Sequence, residues 1–130
     1  QIVAKRLEKS GIEVLSMNSP DDVIASLVRT GCRVVLLDIE MPGTNGLDVL
    51  KEIKKHDGGI QVLMLTGLVT MDSALRAFRL GAETCFFKPI SDYDRLIEAL
   101  DAAFDRLDRW KVVLKELCGR RKDETVGVSA

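Results

Sequence analysis

Three polar residues each follow directly on a short apolar stretch of the chain. The residues and the stretches before them are Asp38 after Val34–Leu37, Thr66 after Val62–Leu65, and Lys88 after Cys85–Phe87. A carboxylate, a hydroxyl and an ammonium group suit phosphoryl transfer, because the carboxylate can attack phosphorus while the other two groups bind the phosphoryl oxygens. Taken singly, each residue is explained equally well as a helix cap, a turn residue or a loop entry. The chemical interpretation therefore depends on all three lying at strand ends of one sheet.

The elements around these residues predict how the side chains are brought together. Each apolar stretch lacks polar alternation, which is typical of a strand covered on both faces. Amphipathic helical patterns separate the stretches. In the pattern at 70–80, the residues expected to face the core are Ala74, Leu75, Ala77 and Phe78. Strands that alternate with helices form parallel sheets, and the chemistry of such sheets lies beyond the carboxyl ends of the strands. We therefore expect the three polar side chains to meet at one edge.

The same alternation extends towards both ends of the chain. The further elements predicted are a helix at 1–10, a strand at 12–17, a helix from 19 to about 31, a loop at 41–46, a helix from 47 to 58 and a helix from about 92 onward. Ser19 and Pro20 supply the N-cap and the first turn of the second helix. The predicted fold class is α/β, with helices on both faces of a parallel sheet.

Composition limits the class of protein. The 130 residues are 46% hydrophobic and 30% charged, with 19 basic and 20 acidic side chains. This length fits one domain with one core. The formal net charge of -1 argues against a nucleic-acid partner, which requires a basic surface. No apolar run approaches the roughly 18 residues of a membrane span, so we expect no membrane partner.

The cysteines and the histidine exclude other kinds of site. Cys32, Cys85 and Cys118 are odd in number and form no CxxC pair, which argues against a disulfide framework or a zinc site and favours a reducing cytoplasm. His56 is the sole histidine and lies in a basic stretch that is typical of a solvated helix end. Histidine-based catalysis is therefore not expected.

Three segments, 34–46, 62–67 and 81–89, together carry a specific motif. They are VVLLDIEMPGTNG, VLMLTG and GAETCFFKP. In these segments the chain resembles the receiver domain of bacterial two-component response regulators, and the resemblance runs from residue 1 to about residue 104. It implies a flavodoxin-like, doubly wound parallel sheet with strand order 2-1-3-4-5. It also implies a receiver domain at 1–104, followed by a helical extension and tail at 105–130.

The resemblance assigns a role to each of the polar residues. It implies that Asp38 accepts a phosphoryl group from the histidine of a partner sensor kinase or phosphotransfer protein. Thr66 would bind that group and shift towards it, and Lys88 would pair with it. The implied metal ligands for Mg²⁺ are Asp38 and the backbone carbonyl of Glu40. The face built from residues 70–100 would change on phosphorylation and carry the output.

The sequence departs from the family pattern at two places. A receiver begins with a central strand that ends in an acidic pair binding Mg²⁺, whereas this sequence begins inside the helix that follows that strand. Either the sequence omits a natural N-terminal segment or the protein is a degenerate receiver. We favour the first explanation, because Asp38, Thr66 and Lys88 are all present. In addition, Cys85 occupies the position of an aromatic residue that usually switches on activation.

Two alternatives to a phosphoacceptor domain stay open. One is a receiver-like interaction and dimerisation module that works without phosphorylation. The other is an enzyme of the haloacid dehalogenase type, which also places an aspartate after a parallel strand. That family requires Asp-x-Asp, and Asp38-Ile39-Glu40 has Glu in the last position. It also requires a later acidic pair after an apolar strand, and none is visible. An acidic pair upstream of residue 1 would favour the phosphoacceptor over the interaction module.

The last predicted helix is longer than a receiver needs. Its apolar or small residues recur in steps of four and three, at positions 96, 100, 103, 107, 110, 114 and 117. This heptad spacing is typical of a helix that pairs with another helix. We expect Leu96, Leu100, Ala103 and Phe104 to contact the core. The residues beyond them are expected to form a homodimer interface or a coiled-coil linker.

Overall fold

The computed structural model describes residues 2–15, 20–41, 43–67 and 70–123. The helices are α1 (Ile2–Lys9), α2 (Val23–Thr30), α3 (Gly46–His56), α4 (Met71–Arg79) and α5 (Tyr93–Asp123), with a 3-10 turn at Pro20–Asp22 before α2. The strands are β1 (Val34–Asp38), β2 (Glu40–Met41), β3 (Thr44–Asn45), β4 (Gln61–Thr66) and β5 (Thr84–Phe87). The three strands of the main sheet alternate with helices as predicted. The predicted loop at 41–46 is partly wrong, because Met41 belongs to β2, Thr44–Asn45 form β3, and α3 begins at Gly46.

The main sheet is parallel and has the order β1-β4-β5. Its register pairs Val35 with Val62 and Met64 with Cys85. β4 lies in the middle and is buried at all of its positions, which explains the unbroken apolar run at 62–65. The structure confirms the predicted α/β fold with a parallel sheet.

The core occupies both faces of this sheet. Val35 and Leu37 of β1 belong to one buried cluster, while Val34 and Leu36 border the other, as the alternation of a strand requires. The helical residues in the first cluster include Leu27 of α2 and Leu50 of α3, and those in the second include Leu7 of α1 and Leu96 of α5. Helices therefore cover both faces, which is the arrangement of a doubly wound sheet.

The predicted strand at 12–17 is wrong where the structure describes it. Residues 12–15 belong to no strand, and residues 16–17 lie outside the described residues, as does the predicted N-cap Ser19. A strand requires a neighbour for its backbone hydrogen bonds, and residues 12–15 pair with none of the described strands. Ile12 and Val14 instead pack their side chains against the cluster of Leu7 and Leu96.

The predicted inner face of α4 is partly wrong. Ala77 is buried and Ala74 is half-buried, but Leu75 is 42% exposed and Phe78 is 75% exposed. Leu75 and Phe78 lie with Met71 at i, i+4 and i+7, so the three form a single stripe along the helix. The stripe faces away from the core because the small residues take the inner position.

The longest element is α5, which spans 31 residues. Leu96, Leu100 and Ala103 are buried as predicted, whereas Phe104 is 41% exposed and its predicted core contact is wrong. Phe104 lies about 100° around the helix from Ala103, which turns it away from the sheet. α5 continues without a break past residue 104. Among the described helices, none has both the length and the apolar content to span a bilayer.

Candidate functional site

Asp38 is the last residue of β1, and the backbone that follows it holds its carboxylate. The Glu40 N–H donates to Asp38 Oδ1 over 2.9 Å. Glu40 is itself held by the hairpin, since β2 pairs with β3 in the register Glu40 to Asn45. The side chain of Asn45 then accepts a hydrogen bond from Leu47 N and caps α3. Glu40 and Asn45 are thus both held by hydrogen bonds, and one Asp38 carboxylate oxygen is oriented by the main chain.

Lys88 directly follows β5 and brings a positive charge to Asp38. Its backbone N–H donates to the Thr66 carbonyl over 2.8 Å, which continues the β4–β5 ladder by one residue. Its Nζ forms an ion pair with Asp38 Oδ2, the oxygen that does not accept from Glu40. The Lys88 side chain is 37% exposed and that of Asp38 is 25% exposed. The pair is therefore accessible to a ligand from solvent.

Thr66 is the last residue of β4, between the strands that carry Asp38 and Lys88. In the register of the sheet it lies one residue beyond Leu65, which pairs with Asp38. Thr66 is almost completely buried, with 1% of its surface exposed. The structure therefore brings all three predicted residues to the carboxyl edge of one sheet, with Asp38 and Lys88 in direct contact.

Gly46 is a site residue that the sequence reasoning missed. The Gly46 N–H donates to the Ile39 carbonyl over 2.7 Å. A Cβ at this position would overlap the Asp38 carbonyl oxygen and lie 2.6 Å from the Ile39 Cα. Glycine is required because α3 begins in contact with the backbone that presents Asp38. The Asn-Gly pair was a visible turn signal, but the close approach involves residues that only the fold brings near.

The described residues do not by themselves fit a magnesium ion. Mg²⁺ takes about six oxygen ligands, usually including one or two carboxylates. At this edge Asp38 supplies one carboxylate, and both of its oxygens already have hydrogen-bonding partners. Within the part of the chain that the structure describes, no group of three or more acidic, histidine or cysteine side chains could hold a metal ion. Asp38 and the Glu40 carbonyl would therefore form only part of a metal site.

The groups with shifted pKa values lie away from this edge. Asp57 precedes β4 at the opposite end of the sheet, where a 2.5 Å hydrogen bond from Arg33 and another from the Gly59 N–H lower the pKa of its carboxyl. Burial raises the pKa of the Cys85 thiol. His56 is exposed at the end of α3, as predicted for a solvated helix end. The lowered pKa of Asp57 therefore reflects its ion pair with Arg33.

Comparison with known proteins gives one consistent family. The model of the response regulator receiver domain matches residues 1–101. An uncharacterized 76.5 kDa protein in the phbC 3′ region of Thiocystis violacea is 32% identical over 96% of this chain and 18% of its own length. The DNA-binding transcriptional regulator NtrC of Klebsiella pneumoniae is 30% identical over 78% of this chain and 22% of its own length. The chain therefore spans about a fifth of these curated relatives.

A solved structure supports the same match. The receiver domain of NtrX from Brucella abortus superposes with a TM-score of 0.73 at 33% sequence identity. The superposition covers 80% of this chain and 88% of that domain. The similarity therefore extends over nearly all of a separately solved domain.

Proposed function

The chain belongs to the response regulator receiver domain family, and from this premise we propose that Asp38 accepts a phosphoryl group from the histidine of a partner kinase or phosphotransfer protein. Receiver domains of response regulators are signalling domains rather than free-standing enzymes. The observation that carries the proposal is the contact between the Asp38 carboxylate and the Lys88 ammonium at an accessible sheet edge. An ammonium there stabilises the negative charge of an arriving phosphoryl group.

The transfer is a displacement at phosphorus. One Asp38 carboxylate oxygen forms a bond to phosphorus while the bond from phosphorus to the donor imidazole nitrogen breaks. The leaving nitrogen keeps the electron pair of that bond and is neutralised by a proton from solvent. Lys88 moves from Asp38 Oδ2 to the phosphoryl oxygens and remains paired with negative charge throughout. Receiver domains in general bind Mg²⁺ through acidic residues, and here Asp38 and the Glu40 carbonyl would contribute to that ion.

Thr66 connects this event to the rest of the domain. In this proposal the buried Thr66 hydroxyl binds a phosphoryl group on Asp38 as the end of β4 shifts towards it. The Thr66 carbonyl accepts from Lys88 N, so such a shift also moves the start of the segment after β5. The adjacent face of residues 70–100 contains the exposed stripe of Met71, Leu75 and Phe78 on α4. We assign the output to this face.

The test is uptake of a phosphoryl group from acetyl phosphate with Mg²⁺, followed by intact mass. The protein is used as its gene encodes it, with any residues that precede residue 1. We expect a gain of about 80 Da that Asp38→Asn abolishes. Asp48→Asn is the matched control, because Asp48 is an exposed carboxylate nearby on α3. Label that persists in Asp38→Asn would contradict the proposal.

The 130-residue chain alone provides a second arm of this experiment. Since its described residues hold one carboxylate at the site, we expect it to gain no mass under the same conditions. Labelling of this short chain on Asp38 would overturn the requirement for further acidic residues but would support Asp38 as the acceptor. The two claims are thus separable.

We place the domain in the cytoplasm, where a kinase can reach the site. Cys32, Cys85 and Cys118 are all free thiols, which suits a reducing compartment. A role in dimerisation is a second candidate function, and the exposed end of α5 favours it.

A further inference from the structure

Asn45 connects the start of α3 to the backbone that follows Asp38. Its side-chain Oδ1 accepts a hydrogen bond from Leu47 N over 2.9 Å, which makes Asn45 the N-cap of α3. Its own backbone is extended, with φ −90° and ψ 124°, and it pairs with Glu40 across the β2–β3 hairpin. The side chain of Asn45 thus bonds to the helix while its main chain belongs to the hairpin.

The helix side of this connection is anchored in the core. Leu47 is 2% exposed and Leu50 is 0% exposed, and both belong to the buried cluster that contains Leu37 of β1. Because Leu47 is buried, loss of the Asn45 acceptor would leave the Leu47 N–H without ready access to water, which is costly. The first turn of α3 is therefore a fixed support to which Asn45 attaches the hairpin.

The hairpin side of the connection leads to the Asp38 carboxylate. The Gly46 N–H donates to the Ile39 carbonyl over 2.7 Å, so these two residues form a bonded step of the hairpin ladder. Bonded and non-bonded pairs alternate along an antiparallel ladder, which makes Glu40 and Asn45 a non-bonded pair. The Glu40 N–H accordingly points out of the hairpin, where it donates to Asp38 Oδ1 over 2.9 Å.

We propose that Asn45 is a positioning residue for phosphoryl transfer, whose cap on α3 fixes the Glu40 N–H and thereby the direction of the Asp38 carboxylate. This inference rests on the proposed phosphoacceptor role of Asp38. The oxygens of Asp38 accept from Glu40 N and Lys88 Nζ, whereas Asn45 Oδ1 accepts from Leu47 N. Asn45 therefore acts on the carboxylate through the backbone of the hairpin.

The direction of the carboxylate matters because the attacking oxygen has to lie in line with the bond that breaks. With Oδ1 held by the main chain, rotation of the Asp38 carboxylate is restricted. Oδ2, which lies beside the Lys88 ammonium, is then the oxygen available to phosphorus. Geometry that is set before the donor arrives lowers the barrier to transfer.

Amide hydrogen exchange tests the positioning without any phosphoryl donor. Asn45→Ala removes the cap, whereas Asn45→Ser keeps a neutral oxygen that can accept from the first turn of α3. We expect the Glu40 amide to exchange at least about threefold faster in Asn45→Ala than in the wild type, because the hairpin opens locally more often. In Asn45→Ser the exchange should return to the wild-type rate.

Thr30→Ala is the matched control. Thr30 is also exposed, and its Oγ1 accepts from the backbone N–H of Cys32, two residues further on, over 3.3 Å. This bond lies before β1, at the opposite end of the strand from Asp38. The Glu40 amide should therefore exchange at the wild-type rate in Thr30→Ala, and equal acceleration in Thr30→Ala and Asn45→Ala would overturn the proposal.

Phosphoryl uptake tests the consequence for the reaction. The protein as its gene encodes it is treated with Mg²⁺ and increasing acetyl phosphate, under conditions where urea titration shows every variant to be folded. For Asn45→Ala we expect a maximal rate lower by about tenfold and a half-saturating concentration within about twofold of the wild type, since Lys88 and Thr66 still bind the phosphoryl group. Asn45→Ser should recover at least about half of the wild-type maximal rate, and Thr30→Ala should keep all of it.

The outcomes separate this inference from the proposed function. A wild type that gains no phosphoryl group on Asp38 would overturn both. A labelled wild type, with normal exchange at Glu40 and a normal maximal rate in Asn45→Ala, would overturn the positioning role alone. A lower urea midpoint in Asn45→Ala without either change would likewise show that the cap only stabilises the fold.

Discussion

The two oxygens of Asp38 have different kinds of partner. Oδ1 accepts from the Glu40 backbone, which is fixed in the β2–β3 hairpin, whereas Oδ2 pairs with the flexible, partly exposed side chain of Lys88. A backbone donor orients the carboxylate, and a long side chain can follow charge as it moves. The site is therefore rigid on one side of the carboxylate and adaptable on the other.

Replacement of Lys88 by methionine tests whether the Lys88 ammonium stabilises the phosphoryl oxygens. This change keeps most of the side-chain volume and removes the charge that would stabilise the phosphoryl oxygens. We expect phosphoryl uptake from acetyl phosphate to be slower by about 10- to 100-fold, because loss of one electrostatic donor commonly has an effect of this order. The rate is measured by intact mass over time on the protein as its gene encodes it.

Lys51→Met is the matched control, because Lys51 is exposed on α3. Its rate should equal that of the wild type. An unchanged rate in Lys88→Met would mean that the ammonium does not act on the phosphoryl group.

The types of Asp38, Thr66 and Lys88 and their positions at strand ends were visible in the sequence. Their convergence followed from the parallel sheet, since parallel strands end at one edge. The need for Gly46 was not predictable, because it arises from overlap with Asp38 and Ile39 across a turn. A steric requirement of this kind depends on tertiary distances, which residue types do not encode.

The junction between β1 and α3 positions the backbone that carries Asp38. α3 begins at Gly46, whose N–H bonds to the Ile39 carbonyl just after β1. The helix and the strand thus share one short hydrogen-bonded connection. Any displacement of the start of α3 is transmitted to the backbone of Asp38.

The Gly46→Ala variant tests this junction. The added methyl group would overlap backbone atoms, so β1 and α3 must move apart. We expect the free energy of unfolding to fall by about 1–3 kcal/mol, as for other overpacked sites. Urea unfolding measures the change.

Gly58→Ala is the control for this substitution. Its added Cβ would meet only the Lys54 carbonyl oxygen at 3.9 Å. We expect its stability to change by less than about 0.5 kcal/mol. Equal stability of the two variants would contradict the steric argument.

The ion pair of Arg33 and Asp57 joins the start of β1 to the end of α3 and predicts a pH effect. The folded state lowers the pKa of Asp57, so its contribution to stability is fully present above the ordinary carboxyl pKa and is lost as pH falls through the lowered value. Both side chains are about 40% exposed, with values of 40% and 39%, so the contribution is about 0–1 kcal/mol after solvent screening.

Urea unfolding of the wild type and Asp57→Asn at several pH values checks this prediction. The stability difference should be largest near neutral pH and shrink below about pH 4. Asp101→Asn, an exposed position on α5, is the control. A difference that grows towards acid pH would show the opposite sign and contradict the assignment.

At the scale of elements, the three sheet strands were predictable because their apolar runs are short and unbroken. The strand predicted at 12–17 did not form over residues 12–15, because β-branched residues favour a strand only when a neighbouring strand is available. The outward direction of Leu75 and Phe78 was also missed. Either face of α4 offers apolar residues, and the choice of Ala77 as the inner residue depends on how closely the helix approaches the sheet.

In the whole molecule, the candidate site and the distal half of α5 are separate features. Asp38 and Lys88 lie at the carboxyl edge of the sheet, whereas residues 108–118 of α5 are exposed along their whole length. The chain spans about a fifth of the length of the curated relatives it matches. The heptad spacing predicted the apolar row, whereas the exposure of residues 108–118 could be established only from the packed structure.

The central claim is that the phosphoryl group resides on Asp38, and chemical trapping tests it most directly. Borohydride reduces an aspartyl phosphate to homoserine and leaves free carboxylates unchanged. After acetyl phosphate treatment of the protein as its gene encodes it, trypsin releases Val34–Lys51, which contains both Asp38 and Asp48. We predict homoserine at position 38, and homoserine at position 48 or at any other aspartate would contradict the account.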